Sequence, residues 1–272
     1  MSGVLYLAAL AVVGLAFGAF YWRRRQRVAM LLATPLSDGL RRILKKSMPV
    51  FNRLPTEERS RLEGLINRFL SEVKFFGGGD FEVTEEMRVL IAAQACLLIV
   101  NQPDRWYKTL ETIIVYPSAF KARERTYDGA LELEHDSVRA GESWGRGPVV
   151  LSWDHAAYGA FIDHDGQNVV LHEFAHQLDD LTGSTDGSPP LARDHRVSDW
   201  ARAFRASYER LREDAGAGRE TFLDPYGATN PAEFFAVATE TFFEKPDAMK
   251  REEPAVHAEL VRYFRLDPAQ WR

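Results

Sequence analysis

Two histidines four residues apart flank a glutamate in the segment His172-Glu173-Phe-Ala-His176. On a helix, residues four apart share one face, so both imidazoles can converge on one Zn²⁺ at about 2.0–2.1 Å. Glu173 lies beside the first histidine and can take a proton from a zinc-activated water. The segment therefore predicts a zinc site that hydrolyses amide bonds. The competing interpretation is an amphipathic helix with two incidental histidines.

The two residues that would complete a metzincin site are absent. That arrangement would place glycine at position 179 and histidine at position 182, where this chain has Asp179 and Thr182. Asp179 follows His176 by three residues and shares its face of the helix approximately. It could be a ligand, but that spacing better suits a residue that holds a ligand or caps local backbone.

A second helix offers a better third ligand. Glu233 lies in the first turn after Pro231, and the rest of this helix is largely apolar. A carboxylate that enters such packing needs a partner, and a metal is a good one. Glu240 lies two turns later on the same face. It is the alternative ligand, or the acceptor for a histidine N–H.

Several separated motifs resemble the Mlc titration factor A family of zinc peptidases. The resemblance covers roughly residues 50–268 and rests on four segments: Gly141–Trp153, His172–Asp179, Asp224–Tyr226 and Asn230–Val237. It implies a zincin-like catalytic core related to that of anthrax lethal factor. It also implies peptidase or aminopeptidase-like activity on a peptide or protein substrate.

The resemblance also implies a role for each site residue. His172, His176 and Glu233 would bind one Zn²⁺ per chain, and Glu173 would be the general base. Tyr226 would help to stabilise the tetrahedral oxyanion, since a phenol donor contributes most in a dry site. The alternative is that Tyr226 has only a structural role, as a tyrosine that packs in a turn. The founding member of the family binds the glucose repressor Mlc, so the alternative function is a zinc-containing protein that sequesters a transcriptional regulator.

The N-terminus carries a different signal. Residues 3–22 have no charged side chain and are just long enough to span a hydrocarbon core of about 30 Å. Four arginines follow at once in the segment 23–27, which the positive-inside rule places in the cytosol. We therefore predict a single-pass protein of the cytoplasmic membrane with its catalytic domain facing the cytosol. The rival is a signal peptide cleaved near Gly18, although signal peptides carry their positive charge before the apolar run.

Charge is distributed unevenly along the chain. Residues 23–53 hold nine Lys/Arg and one Asp, whereas the remainder holds 25 Lys/Arg and 38 Asp/Glu. The formal net charge is −5, which gives no case for nucleic acid as a partner. The single cysteine, Cys96, excludes an internal disulfide and lies in an apolar run typical of a buried thiol.

The hydrophobic patterns predict an α+β fold, mostly helical with a small sheet. We expect a transmembrane helix at 3–22, a basic juxtamembrane connector at 23–55 and a zinc metallopeptidase domain at 56–268. Helices are predicted from Thr56, from Thr84 and, after the histidine segment, near 197–214, 231–244 and 254–264. Strands are predicted near 110–116, 130–134 and 148–153, and the glycines at 77–79 predict a turn. His164 could line the cleft, but the default interpretation is a loop histidine, and His195 could contact substrate or cap a turn. Trp144 and Trp153 are expected in the core.

Overall fold

The computed structural model describes the backbone of residues 2–118, 120–128, 131–139, 141–143 and 147–271. Side chains are described for residues 10, 13–118 and 147–271. Trp144 and Ala130, which the sequence places in or near strands, lie outside the described residues. The predicted mostly helical α+β fold with a small sheet is confirmed.

The helices account for most of the described chain. Their bounds are α1 Ser2–Ala33, α2 Asp38–Ser47, α3 Pro49–Arg53, α4 Thr56–Glu72, α5 Glu85–Leu97, α6 Trp153–Phe161, α7 Val169–Asp179, α8 Val197–Gly216, α9 Pro231–Glu244, α10 Pro246–Glu252 and α11 Pro254–Phe264. Capping residues define several of these ends. Thr84, for example, accepts a hydrogen bond from the backbone N–H of Met87 at the start of α5, as its sequence position predicts.

The strands form one mixed sheet and one hairpin. Their bounds are β1 Lys74–Gly77, β2 Thr112–Tyr116, β3 Phe120–Asp128, β4 Leu131–Arg139, β5 Gly141–Ser143 and β6 Val149–Ser152. The sheet has the order β1-β2-β6-β5, in which β1, β2 and β6 run parallel and β5 runs antiparallel to β6. Strands β3 and β4 pair with each other in an antiparallel hairpin.

The core lies between this sheet and the helices. In β2, Ile113 and Val115 are fully buried and alternate with half-buried neighbours, as expected for a strand with one face on the core. Val149 and Leu151 of β6 are also fully buried. Phe174 of helix α7 packs in this core. Its ring centroid lies 4.9 Å from that of Tyr107, in an edge-to-face arrangement. The helix with the two histidines is therefore anchored on its apolar side.

The prediction of a membrane-spanning helix at 3–22, and with it of a single-pass membrane protein in contact with a bilayer, is wrong. Among the described residues, no helix combines the length and the apolar character that crossing a bilayer requires. Helix α1 does not end at Trp22, since it continues through the arginines to Ala33. Its last turns pack on α4, where Arg27 donates a hydrogen bond to Ser71 at 2.8 Å.

The contact between α1 and α4 depends on a small residue. A Cβ atom at Gly64 would lie 2.2 Å from the carbonyl oxygen of Leu32, so only glycine allows this approach. The segment after α1 also joins the core, because Leu44, Met48 and Phe51 are buried there. The basic stretch 23–53 thus packs closely against the body through its apolar side chains.

Candidate metal centre

Helix α7 begins at a well-capped N-terminus. The side chain of Asn168 accepts a hydrogen bond from the backbone N–H of Leu171 at 3.0 Å and donates to the carbonyl of Gly159 at 2.9 Å. Such a cap satisfies backbone donors that the first helical turn leaves without partners. His172 and His176 follow on the face of α7 that lies opposite its buried apolar residues.

Helix α9 also begins at a capped N-terminus. Asn230 accepts hydrogen bonds from the backbone N–H groups of Ala232 and Glu233 at 2.9 and 3.0 Å. Pro231 occupies the first helical position, where a missing N–H costs nothing. Glu233 therefore projects from a fixed first turn, and α9 packs directly against α7.

Three side chains from these helices converge on one point. Nε2 of His172 lies 2.9 Å from a carboxylate oxygen of Glu233 and 3.3 Å from Nε2 of His176. Nε2 of His176 lies 3.4 Å from the same oxygen of Glu233. Among the described residues, these three form the group whose ligand atoms could hold one metal ion.

The three atoms fit the size of a divalent metal. Tetrahedral bonds of about 2.0–2.2 Å place neighbouring ligand atoms about 3.3–3.6 Å apart. Two of the three separations, 3.3 and 3.4 Å, fall in this range, and the third, between His172 and Glu233, is shorter at 2.9 Å. Nδ1 of His172 lies 2.8 Å from Glu240, whose carboxylate can only accept. In the neutral form of His172, the form that can bind a metal, the proton therefore belongs on Nδ1, and the lone pair of Nε2 is directed at the point of convergence.

The electrostatics of the cluster also suit a cation. Burial alone raises the pKa of Glu233, but contacts with His172 and His176 outweigh it and lower this pKa to about 2. Burial alone lowers the pKa of His172, yet Glu233 and Glu240 raise it well above its usual value. The carboxylates thus hold strong negative potential at the centre, which attracts positive charge.

The other two predicted catalytic residues lie next to this centre. Glu173 is buried on α7 beside His172. Tyr226 lies in a short 3₁₀ turn, Pro225–Ala228, with its ring centroid 6.0 Å from that of His172. Asp224 fixes this turn by accepting from the backbone N–H of Tyr226 at 2.8 Å. Tyr226 is 55% exposed, so it is accessible from solvent at the edge of the centre.

The two alternative ligands, Glu240 and Asp179, have other partners. Glu240 contacts Nδ1 of His172 and accepts from the backbone N–H of Asn168. Asp179 accepts from the backbone N–H of Gly187 at 2.6 Å. Neither carboxylate belongs to the group of converging ligand atoms.

The other histidines occupy places that the sequence did not distinguish. His195 is buried, and its Nε2 lies 2.5 Å from a carboxylate oxygen of Glu259 on α11. His164 is largely exposed beside Asp163. Trp153 packs partly buried against the core. Cys96 is fully buried, and burial raises the pKa of its thiol well above the usual value.

Comparison with known proteins assigns the chain to a family. Residues 20–265, most of the chain, match the family described as "Glucose-regulated metallo-peptidase M90". The chain belongs to this M90 metallopeptidase family. The predicted resemblance to the Mlc titration factor A family is confirmed, because curated members with that name are also similar to this chain.

Two curated relatives and one solved structure illustrate the match. An uncharacterised protein of Synechocystis sp., slr2042, is 41% identical over 91% of this chain and 89% of its own length. Mlc titration factor A of Edwardsiella ictaluri is 32% identical, covering 82% of this chain and 86% of the relative. The structure of the PRO-PRO endopeptidase PPEP-2 from Paenibacillus alvei aligns with a TM-score of 0.41 and 13% identity, over 71% of this chain and 98% of that one.

Membership of the M90 family implies a divalent metal. The converging atoms of His172, His176 and Glu233 fit such an ion in separation, in tautomer and in charge. Sequence reasoning missed the residues that hold these ligands in place, notably Asn168, Gly187 and Glu244. One signal existed for Glu244, because it follows Glu233 by eleven residues and so shares its face of α9.

Proposed function

We propose that this chain is a zinc peptidase in which His172, His176 and Glu233 hold the metal. The observation that supports this most directly is the convergence of two Nε2 atoms and one carboxylate oxygen within 2.9–3.4 Å of one another. Two nitrogens and one oxygen from a helix pair form a ligand set that suits Zn²⁺, and three protein ligands leave a position for substrate. Membership of a metallopeptidase family agrees with this assignment.

The metal supplies Lewis acidity, which polarises the substrate carbonyl and makes water more acidic. Glu173 is then the general base that removes a proton from the attacking water and passes it to the leaving amine. Glu173 follows His172, one of the three proposed ligands, directly in the chain. Its burial limits competing hydration of the carboxylate.

Tyr226 serves in this proposal as the donor that stabilises negative charge on the substrate oxygen. Its turn is held by Asp224 and packs against α8 and α9, so the phenol is carried by ordered backbone. The ring lies beside His172 and remains exposed to a bound substrate. A donor aimed at developing charge contributes more to the transition state than to the bound substrate.

The deciding experiment compares wild type with Glu173→Gln on a peptide mixture with free and blocked N-termini. We expect the variant to keep its zinc and its fold but to lose cleavage by at least about 10²-fold. Glu220→Gln, at an exposed site in the loop after α8, is the matched control and should cleave normally. Cleavage by Glu173→Gln at the wild-type rate would show that the assignment is wrong. Activity restricted to free N-termini would support the aminopeptidase expectation.

A second candidate function is sequestration of a transcriptional regulator. It is favoured by the relatives called Mlc titration factor A, which are about 30% identical over 82% of this chain. Calorimetric titration of the Glu173→Gln variant with a purified Mlc-type repressor tests it without interference from cleavage. Tight binding would support a titrating role, and no binding at micromolar concentrations would exclude this repressor type as a partner.

A further inference from the structure

Two buried polar atoms one helical turn apart on α7 have no hydrogen-bond partner among the described residues. They are Nδ1 of His176 and Oδ1 of Asp179. Buried donors and acceptors are usually paired, since an unpaired one loses its hydration without replacement. One of these atoms can donate and the other can only accept. Residues three apart on a helix are neighbours on its surface.

The role proposed for His176 determines which of its nitrogens carries the proton. Its Nε2 faces the Nε2 of His172 and the carboxylate of Glu233. An imidazole that binds a metal through Nε2 is neutral and carries its proton on Nδ1. That N–H then needs an acceptor, as ligating histidines generally have. His172 has one in Glu240, whereas Nδ1 of His176 has no acceptor in the part of the chain that the structure describes.

We infer that Asp179 is the positioning residue of His176, with Oδ1 as the acceptor for its Nδ1–H once the metal is held. This inference rests on the proposed zinc site. Asp179 is fully buried, so its carboxylate has no competing bulk water. Each histidine of the centre would then be backed by one buried carboxylate, Glu240 for His172 and Asp179 for His176.

The second oxygen of Asp179 explains why its carboxylate is held in place. Oδ2 accepts from the backbone N–H of Gly187 at 2.6 Å. Gly187 has a φ of +79°, and its backbone lies directly against the carbonyl of Pro231, where α9 begins. Asp179 therefore connects the helix of the histidines, through one loop residue, to the helix of Glu233. Its position orients His176 and limits how far the two helices can move apart.

Tyr263 on α11 offers the competing interpretation. Its hydroxyl is also buried without a hydrogen-bond partner among the described residues, and burial raises the pKa of this phenol, as does the negative charge of Asp179. If the hydroxyl donated to Oδ1, Asp179 would be a structural residue with no role in orienting His176. Tyr263→Phe removes only this hydroxyl and therefore separates the two interpretations.

The test measures the apparent Kd for Zn²⁺ by chelator competition in wild type, Asp179→Asn, Asp179→Ala and Tyr263→Phe. We expect zinc to bind about 10–100-fold more weakly to both Asp179 variants, and no more than about twofold more weakly to Tyr263→Phe. Wild-type affinity in a folded Asp179 variant would overturn the inference. So would an equal loss of affinity in Tyr263→Phe.

A second measurement needs only the wild-type chain. Long-range ¹H–¹⁵N spectra of the zinc-loaded protein should show His176 protonated at Nδ1, and an unprotonated Nδ1 would overturn the inference even if no Asp179 variant folds. Failure of the zinc site itself is distinguishable, because wild type would then bind no zinc at all. Loss of zinc binding in Asp179 variants alone leaves the proposed function intact.

Discussion

Nδ1 of His172 lies 2.8 Å from Oε1 of Glu240, while Oε2 of the same carboxylate binds the backbone N–H of Asn168. One glutamate therefore contacts both the capping residue of the histidine helix and the first candidate ligand on that helix. Glu240 and Glu233 are seven residues apart on α9, so both project toward α7. The relative position of α7 and α9 therefore determines the geometry of the centre.

Glu240→Gln should weaken zinc binding by about 10–100-fold. The amide can turn its NH₂ group toward Nδ1, which favours the tautomer with the proton on Nε2 and opposes ligation. Chelator competition measures the affinity, and circular dichroism checks the fold. Glu252→Gln, at an exposed site on α10, is the control and should bind zinc as wild type does. An unchanged affinity in Glu240→Gln would argue that this contact does not orient His172.

Tyr226→Phe should lower kcat on the order of 10²-fold and leave zinc content unchanged. The phenol is proposed to act on charge that develops only in the transition state, so KM should move little. Tyr208→Phe is a suitable control, because Tyr208 is a partly buried tyrosine that donates to the carbonyl of Ala228 in the same turn. A rise in KM with constant kcat in Tyr226→Phe would instead indicate a substrate-binding residue.

Most of the helices after the centre could be predicted from the sequence. Helices α9 and α11 have the predicted bounds, because a proline at the first position and a clear apolar face mark each of them. Strand β1 was missed, since the glycines after Phe76 predict a turn, and a short strand gains its order from pairing with β2. Helix α6 was also missed. It follows β6 without a turn, so no local signal marks its beginning.

The candidate site likewise contains residues that the sequence predicts and contacts that it does not. The convergence of His172 and His176 follows from helical spacing alone, and Glu233 from a carboxylate in an apolar helix. The hydrogen bond from Gly187 to Asp179 depends on the path of a loop, which periodicity does not report. The continuous course of α1 past Trp22 and its packing on α4 likewise depend on tertiary contact.

Glu244 should make stability depend on pH in a way that Glu244→Gln abolishes. Burial raises the pKa of Glu244 to about 8 from an ordinary value of 4.5, and nearby Asp165 raises it further, while the hydrogen bond from Asn168 opposes both. Because the pKa of Glu244 is higher in the folded state than in the unfolded state, the contribution of this group to the free energy of unfolding is fully present below pH 4.5. That contribution is lost as pH rises through about 8.

The test is urea unfolding of wild type and Glu244→Gln at pH 6 and at pH 9. The free energy of unfolding of the Gln variant, relative to wild type, should increase between these two values, because only wild type must ionise a buried carboxyl group. Glu252→Gln should show no such trend. A difference that stays constant with pH would mean that Glu244 is ionised at pH 6, held by the backbone N–H groups of Gly166 and Gln167.

Gly187→Ala should destabilise the protein more than Gly218→Ala, although both glycines have positive φ values of +79° and +66°. At Gly218 an added Cβ meets nothing within 4 Å, so the cost is that of the backbone conformation alone, about 1 kcal/mol. At Gly187 the Cβ would lie 2.3 Å from the carbonyl oxygen of Pro231, so the start of α9 must shift.

Because Glu233 is two residues after Pro231, this shift should also weaken zinc binding. Zinc affinity and urea unfolding, measured on both variants, separate the two effects. Gly218→Ala should lose stability without losing affinity, whereas Gly187→Ala should lose both. Equal losses of stability and equal zinc affinities would show that the loop at Gly187 tolerates a side chain. The loop would then not hold the two ligand helices together.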